Sequence, residues 1–134
     1  MLIDLDHFKN VNDAYGHAAG DEVLRVTGQR LRACVRPADA VGRYGGEEFI
    51  VVMTSARRED VAAVAERIRV SVSNEPIMFD GNSINWACSV GYTIGTTDDP
   101  LEMLINCADQ ALYQAKSDGR NCIASKALPE RPVA

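Results

Sequence analysis

The segment DAVGRYGGEEFIVVM, residues 39–53, places two glycines and two glutamates between two short strand-like runs. Such runs joined by a glycine-containing turn are typical of an antiparallel β-hairpin, with the letters GGEE of residues 45–48 at its tip. Glycine is common in tight turns because it tolerates positive φ, and surface glutamates are usually solvated. Taken alone, these four letters therefore fit a purely structural turn as well as a functional site.

Helical spacing of apolar residues predicts three longer helices around this hairpin. The first covers residues 21–35. The second begins with Ser55 as its N-cap and continues to about Ser73. The third begins at Pro100, a favoured first helical position, and stops near Gly119. The buried positions predicted for these helices are Val23, Leu24, Thr27, Leu31, Cys34, Val35, Val61, Ala65, Ile68, Val72, Leu101, Leu104, Ile105, Ala108, Leu112 and Ala115.

Strands are predicted in the remaining segments. MLIDL, residues 1–5, is a short apolar run that leads into short helical pieces with a bend at glycines. PIMFDGNSINWACSVGYTIG, residues 76–95, predicts a second hairpin with DGN as its turn and a long second strand. NCIAS, residues 121–125, is a last strand before a frayed tail. The order β-α-α-β-β-α-β-β-α-β therefore predicts an α+β fold with helices packed on a mainly antiparallel sheet.

Composition indicates one ordinary globular domain. The chain has 134 residues, of which 46% are hydrophobic and 25% charged. With 19 acidic against 14 basic residues, it lacks the basic surface of a nucleic-acid-binding protein, so a phosphate-bearing ligand must be held locally or through a metal. The four cysteines show no CxxC spacing, which indicates reduced thiols and a cytoplasmic location. No run approaches the roughly 20 apolar residues of a membrane helix, so we expect no membrane contact.

A second acidic turn, DLDHFKNVND at residues 4–13, follows the first predicted strand. If the two strands are adjacent, Asp4 and Glu47 lie at the same sheet edge. Together with a main-chain carbonyl such as that of Leu5, they form an all-oxygen site suited to Mg²⁺, which usually also binds waters and substrate phosphates. The glycines of the hairpin tip lack a Cβ and would let the backbone approach a nucleotide. The two turns together predict a site for a metal and a nucleotide.

Further motifs make the pattern specific: DLDHFKNVNDAYGHAAGD (residues 4–21), RPAD (36–39), SVGYT (89–93) and ADQALYQAKSDGRN (108–121). With GGEEF at residues 45–49, the sequence resembles the GGDEF domain of the diguanylate cyclase family, in the GGEEF form of its signature. The resemblance covers residues 1–124 and implies one domain with a palm-like, nucleotidyl cyclase-like fold around a ferredoxin-like core. Residues 125–134 would be a C-terminal tail.

The same resemblance implies a diguanylate cyclase, which condenses two GTP into cyclic di-GMP and releases two pyrophosphates. In the family, two domains face each other as a homodimer, and the 3′-hydroxyl of each GTP attacks the α-phosphate of the other. Mg²⁺, or Mn²⁺ in its place, would be held by Asp4, the Leu5 carbonyl and Glu47, with Glu47 and Glu48 as catalytic residues. The GTP-binding residues implied by the resemblance are Lys9, Asn12, Asp21, Gly45, Gly46, Lys116 and Arg120.

Several of these assignments have a physical reason and a local alternative. Asp21 can accept hydrogen bonds from the N–H groups of guanine but would repel the N1 acceptor of adenine, which favours GTP over ATP. Its alternative role is a helix N-cap. Lys116 and Arg120 suit a triphosphate, but they would also complement the dipole at a helix C-terminus. Phe8 and Phe49 are predicted to pack behind the acidic turns.

RPAD adds a regulatory prediction. Its R-x-x-D form and its position before the glycine pair match the product-inhibition site of the family, in which Arg36 and Asp39 would bind cyclic di-GMP. Arginine can pair with phosphate or a guanine edge, and aspartate with guanine N–H groups. The alternative is a local ion pair between these two side chains.

Family domains usually begin some tens of residues earlier, with a helix and a D-x-L-T-G-L-x-N-R segment. The resemblance therefore implies an N-terminally truncated domain and a longer parent protein with a sensor or regulatory domain upstream. Two other functions fit parts of the pattern. One is an inactive receptor module or fragment that only binds GTP or cyclic di-GMP. The other is a different palm-like nucleotidyl cyclase or polymerase, for which the guanine-binding pair would be unexplained.

Overall fold

The computed structural model describes residues 1–132, so the last two residues of the predicted tail lie outside the described chain. The strands and helices follow the predicted order with one additional strand. They are β1 Leu2–Leu5, α1 Phe8–Tyr15, α2 His17–Cys34, β2 Ala40–Arg43, β3 Glu48–Val52, α3 Arg58–Asn74, β4 Ile77–Phe79, β5 Asn82–Ile84, β6 Cys88–Tyr92, α4 Leu101–Ser117 and β7 Ile123–Ser125.

The central sheet has the strand order β2-β3-β1-β6-β7, with β1 in the middle. The pairs β2–β3, β1–β3 and β1–β6 are antiparallel, and β6–β7 is parallel. The predicted class, an α+β fold on a mainly antiparallel sheet, is therefore confirmed. The hairpin predicted from residues 39–53 also forms, and β1 pairs with its second strand so that Asp4 lies opposite Glu48.

Helices cover the sheet on both faces because side chains of β1 alternate between two apolar clusters. Ile3 and Leu5 belong to the larger cluster, which includes the buried faces of α2 and α3. Leu2 points the other way and packs with Ala108 and Leu112 of α4. Burial of each such aliphatic side chain contributes about 1.5–3 kcal/mol to folding. The predicted buried face of α3, namely Val61, Ala65, Ile68 and Val72, is confirmed.

Gly91 fixes how closely α4 lies on β6. A Cβ atom at this residue would be 2.1 Å from the Leu112 nitrogen and 2.4 Å from the Ala108 oxygen. Both are backbone atoms of the helix, so only a glycine permits this approach. The position of α4, and of every side chain that it carries toward the end of β1, depends on that contact.

The prediction of one long strand over residues 83–95 is wrong. It is divided at residues 85–87 into β5, which pairs with β4 in a separate two-stranded sheet, and β6, which joins the central sheet. Trp86 lies in this interruption and is buried. Its Nε1–H donates to Thr27 Oγ1 at 2.9 Å, and the Arg30 guanidinium lies 4.8 Å from the ring centre. The contact of Trp86 with α2 accounts for the break.

Helix boundaries also differ from the prediction. α2 begins at His17, four residues before the predicted start, because Gly16 at φ 89° separates it from α1. α3 begins at Arg58 with Arg57 as its N-cap, so the predicted cap, Ser55, lies outside the helix, where its φ is 52°. Leu101 was predicted to be buried but is 66% exposed, since the first turn of α4 precedes its contact with the sheet.

Polar contacts join the tail to the rest of the domain. Lys126 N–H donates to the Tyr92 carbonyl at 3.1 Å, and Arg131 forms an ion pair with Asp99 at 2.7 Å. These contacts hold the tail along the loop that follows β6. Within residues 1–132, no helix combines the length and the apolar character needed to span a bilayer.

Candidate active site

The hairpin tip is exposed to solvent and is held by backbone hydrogen bonds together with the Arg43 side chain. Tyr44 N–H and Gly45 N–H both donate to the Glu48 carbonyl, at 2.9 and 3.3 Å. The Arg43 guanidinium donates to the Gly46 carbonyl at 2.5 Å. Neither glycine has a positive φ, so this turn does not require the left-handed conformation that glycine tolerates. A Cβ on Gly46 would contact nothing within 4 Å, so the tip leaves open space beside the glutamates.

Three carboxylates and one ammonium group lie where β1 and β3 meet. Asp4 is buried and lies across the strand pair from Glu48. Leu5 N–H donates to the Glu47 carbonyl at 3.2 Å, which brings Glu47 to the end of β1. Lys116, in the last turn of α4, donates from Nζ to Asp4 Oδ2 at 2.9 Å. The two acidic turns therefore lie together, as predicted. Lys116, which is 112 residues from Asp4 in sequence, lies at the same place.

The local electrostatics favour a cation. Burial, and then the neighbouring Asp4 carboxylate, raise the pKa of both Glu47 and Glu48, while Lys116 opposes this increase. Within residues 1–132, no three acidic, histidine or cysteine side chains form a complete ligand set. Mg²⁺ needs only one or two protein carboxylates because waters and substrate phosphates complete its shell. The oxygen donors of Asp4, Glu47 and the Leu5 carbonyl are of the type that Mg²⁺ prefers.

The predicted guanine-binding residues come from α1 and α2. The Asn12 carboxamide lies directly against Gly20, where a Cβ would be 1.9 Å from its Oδ1. Asp21 is the next residue, exposed inside α2, so its alternative role as an N-cap is wrong. Asp21 borders a cavity of about 380 Å³ below the hairpin tip. Its other lining residues are Leu24, Arg25, Gly28, Arg43 and Phe49.

The other two predicted triphosphate ligands are solvent-exposed. Lys9 lies in the first turn of α1, and Arg120 follows α4 with a φ of 64°. Of the three cations, only Lys116 contacts a carboxylate of the site among the described residues. Phe8 and Phe49 are buried, which confirms their predicted packing role.

The RPAD motif forms a second polar site. Arg36 and Asp39 make an ion pair at 3.0 Å, and Arg36 also donates to the Thr54 carbonyl. Hydrogen bonding from Arg36 lowers the pKa of Asp39, whose side chain is fully buried. The local ion pair expected as an alternative is thus present. The two residues also border a cavity of about 330 Å³, together with Asp60 and Arg67 of α3.

Comparison with protein families identifies the domain. The family described as "Diguanylate cyclase, GGDEF domain" matches residues 1–122. The chain belongs to the GGDEF family. Over 122 residues it is 47% identical to diguanylate cyclase A of Treponema denticola, covering 90% of this chain and 33% of that protein. It is 45% identical over 131 residues to the response regulator PleD of Caulobacter vibrioides, covering 95% and 29%. The domain thus spans about a third of the length of these curated relatives.

Solved structures agree with this assignment. The diguanylate cyclase SiaD of Pseudomonas aeruginosa, in complex with its activator SiaC, matches with a TM-score of 0.88 and 34% identity over 93% of this chain and 48% of that one. The GGDEF domain of DgcB from Caulobacter crescentus, in complex with c-di-GMP, matches with a TM-score of 0.87 and 31% identity over 92% and 74%. The predicted family and its cyclase fold are confirmed.

Sequence reasoning missed two arginines of this GGDEF domain. Arg43 borders the cavity below the tip and lies 5.7 Å from the Phe49 ring centre. Its position two residues before the glycine pair could have indicated that it lies near the hairpin tip. Arg67 borders the RPAD cavity, but it is one of several arginines on α3, and nothing in its spacing distinguishes it.

Proposed function

We propose that this GGDEF domain is a diguanylate cyclase that condenses two GTP into cyclic di-GMP and releases two pyrophosphates. One observation carries the proposal. Asp4 is held by Lys116 beside Glu47 at a sheet edge, in a family whose relatives are named diguanylate cyclases. This arrangement offers oxygen ligands for a metal and a cation for phosphate at the same place.

Asp4, Glu47 and the Leu5 carbonyl would hold Mg²⁺, or Mn²⁺ in its place. Burial, and then the neighbouring Asp4 carboxylate, raise the pKa of Glu47 and Glu48, so a bound cation would stabilise the ionised form of both side chains. A bound divalent ion would stabilise the charge that develops on the phosphorus and the leaving group. Glu48, which faces Asp4 across the strands, would keep Asp4 and the tip in position.

The nucleotide would be bound from three sides. Asp21 accepts hydrogen bonds from the N–H groups of guanine, and Asn12 provides an amide beside it. Lys9, Lys116 and Arg120 bind the triphosphate, with Lys116 able to reach both Asp4 and a phosphate. The Cβ-free Gly45 and Gly46 leave room for the nucleotide at the tip.

In the reaction, the 3′-hydroxyl of each GTP attacks the α-phosphate of the other. A new P–O bond forms, the bond to the pyrophosphate breaks, and Glu47 takes the hydroxyl proton. Each domain holds one GTP, so ring closure requires two domains facing each other as a homodimer. GTP as the substrate implies a cytoplasmic reaction.

Arg36 and Asp39 would form an inhibitory site for cyclic di-GMP. The neighbouring cavity of about 330 Å³ and the additional Arg67 support this role, since an anionic dinucleotide needs cations as well as a guanine acceptor. Arg36→Ala should relieve inhibition by the product while leaving the initial rate unchanged. Unchanged product inhibition in this variant would remove the assignment.

The central experiment incubates the purified chain with GTP and Mg²⁺, follows cyclic di-GMP and pyrophosphate by chromatography, and measures dimerisation by light scattering. Glu47→Ala and Glu48→Ala should each abolish product formation while their circular dichroism spectra stay unchanged. Glu59→Ala, on the exposed start of α3, is the matched control and should remain active. GTP binding without product by the wild-type chain would instead support a receptor module.

A further inference from the structure

Asp6 is a buried carboxylate outside the proposed ligand set. It follows β1 and is 8% exposed. Its Oδ1 accepts a hydrogen bond from Ser89 Oγ of β6 at 2.6 Å, and its Oδ2 accepts one from the backbone N–H of Asn121 at 2.9 Å. Asp6 thus joins the end of β1 to the loop that follows α4.

That loop has an unusual backbone conformation. Gly119, Arg120 and Asn121 have φ values of 115°, 64° and 45°, so three consecutive residues have positive φ. Glycine adopts such values readily, whereas arginine does so only where surrounding contacts hold it. Arg120 N–H donates to the Ala115 carbonyl at 3.1 Å, which closes the end of the helix. The conformation of Arg120 therefore depends on how its neighbours are held.

Asn121 is fixed at two points. Its backbone N–H donates to Asp6, and its side-chain Oδ1 accepts a hydrogen bond from Arg69 of α3 at 3.1 Å. The bond to Asp6 is charge-assisted, and such bonds are roughly twice as strong as those between neutral groups. A carboxylate at residue 6 therefore holds the loop more firmly than a neutral acceptor would.

We propose that Asp6 is a positioning residue for substrate phosphate: by holding the Asn121 amide, it keeps Arg120 in the conformation that binds the triphosphate of GTP. The inference rests on the proposed function, because it takes Arg120 as a triphosphate ligand. Arginine loses considerable conformational freedom when it binds a ligand. A backbone at residue 120 that already has the binding conformation reduces that loss. The resulting gain in affinity should occur only for ligands with β- and γ-phosphates and only when Arg120 is present.

The test compares affinities for 3′-deoxy-GTP, which lacks the attacking hydroxyl, and for GMP, by calorimetry in the presence of Mg²⁺. Asp6→Ala should weaken 3′-deoxy-GTP binding about tenfold and leave GMP binding unchanged. Asp6→Asn, which keeps an acceptor of the same shape but loses the charge, should recover about half of this loss in binding free energy. In an Arg120→Ala background, Asp6→Ala should have less than about a twofold effect. Ser89→Ala, which removes the other partner of Asp6, is the matched control and should keep near-normal affinity.

Three results would overturn the inference. One is an equal loss for GMP and 3′-deoxy-GTP in Asp6→Ala, and another is an undiminished effect of Asp6→Ala in the Arg120→Ala background, since either indicates a merely structural role. The third is wild-type affinity for 3′-deoxy-GTP in Asp6→Ala when Arg120→Ala is impaired, which leaves the proposed function intact. If the wild-type chain itself does not bind 3′-deoxy-GTP, the proposed function fails and the inference fails with it.

Circular dichroism establishes whether Asp6→Ala is folded. If it is not, Arg69→Met serves instead. This substitution removes the hydrogen bond from Arg69 to the Asn121 side chain, and the Arg69 side chain is 24% exposed. This variant should also weaken 3′-deoxy-GTP binding selectively. Wild-type affinity in Arg69→Met would then overturn the inference.

Discussion

Replacement of Gly91 by alanine tests whether the contact between β6 and α4 sets both the stability of the domain and the geometry of its site. The new Cβ would be 2.1 Å from the Leu112 nitrogen, whereas real Cβ atoms essentially never approach another heavy atom within 3.0 Å. The helix must therefore move away by about 0.9 Å at this point. The nearest atoms all belong to the helix backbone, so no side-chain rotation can relieve the overlap.

The energetic cost follows from this overlap. Overpacking of a core typically costs about 1–3 kcal/mol, and a backbone clash belongs at the upper end of this range. Replacing glycine also lowers the conformational entropy of the unfolded chain, which stabilises the folded state by about 0.4–1 kcal/mol. The net loss is about 2 kcal/mol, and for a domain of this size the melting temperature should fall by about 6–12 °C.

The same movement should impair turnover. Lys116 lies one helical turn after Leu112, so a retreat of α4 carries Nζ away from Asp4 Oδ2, which it now contacts at 2.9 Å. Displacement of a substrate-binding group by about 1 Å can reduce a rate by about 10²-fold. Cyclic di-GMP formation by Gly91→Ala should therefore be about 10²-fold slower, even well below its melting temperature.

The assay combines thermal unfolding by circular dichroism with initial rates at a temperature where both proteins are folded. Gly28→Ala is the matched control, because a Cβ there would meet only Phe49 Cε1 at an ordinary 3.7 Å. It lies inside α2 and should be slightly stabilising, by up to about 1 kcal/mol. A Gly91→Ala protein that melts and turns over like the wild type would show that the contact between β6 and α4 sets neither property.

Three further substitutions test the local electrostatics and the nucleotide site. Glu48→Gln should raise the melting temperature near neutral pH without added metal, because burial and a neighbouring carboxylate raise the pKa of Glu48 above its ordinary 4.5, so its ionised form destabilises the fold. Gly20→Ala should reduce the preference for GTP over ATP about tenfold in competition binding, because the new Cβ displaces the Asn12 carboxamide. Asp39→Asn should reduce acid sensitivity in urea unfolding: Arg36 lowers the pKa of Asp39, so the wild-type carboxylate stabilises the fold above pH 3.8 and this contribution disappears as the pH falls further.

Each of these has a control and a contrary outcome. Glu59→Gln, on an exposed turn, should not change the melting temperature, and a gain that persists below the ordinary glutamate pKa would contradict the explanation for Glu48. Gln29→Ala, at an exposed position of the same helix as Gly20, should keep the nucleotide preference. Asp80→Asn, at an exposed turn, should keep the acid sensitivity of the wild type. An equal acid response in Asp39→Asn would show that the ion pair does not contribute.

The sequence predicted the β2–β3 hairpin and the buried face of α3 well, because both depend on local signals. Strand-like runs around a glycine-containing turn predicted β2 and β3, and helical spacing predicted the buried face of α3. The division at residues 85–87 could not be predicted, because it depends on Trp86 reaching Thr27, 59 residues away in sequence. Periodicity shows that a segment prefers an extended conformation but not which sheet it joins.

The candidate site shows the same limit. The two acidic turns were predictable because each directly joins a strand, and adjacent strands bring their ends together. The ion pair of Lys116 with Asp4 and the hydrogen bond of Asp6 to Asn121 depend on where α4 lies. That position is set by Gly91, whose requirement becomes visible only when the helix is present above it.

The ion pair between Lys116 and Asp4 gives this carboxylate an internal counter-ion. In the proposed function, a nucleotide that draws Lys116 onto its phosphates frees Asp4 to bind the metal. Metal and nucleotide would then increase each other's affinity by the same factor, as thermodynamic reciprocity requires. The fraction of domains that bind both ligands would therefore depend jointly on the concentrations of GTP and of the divalent cation.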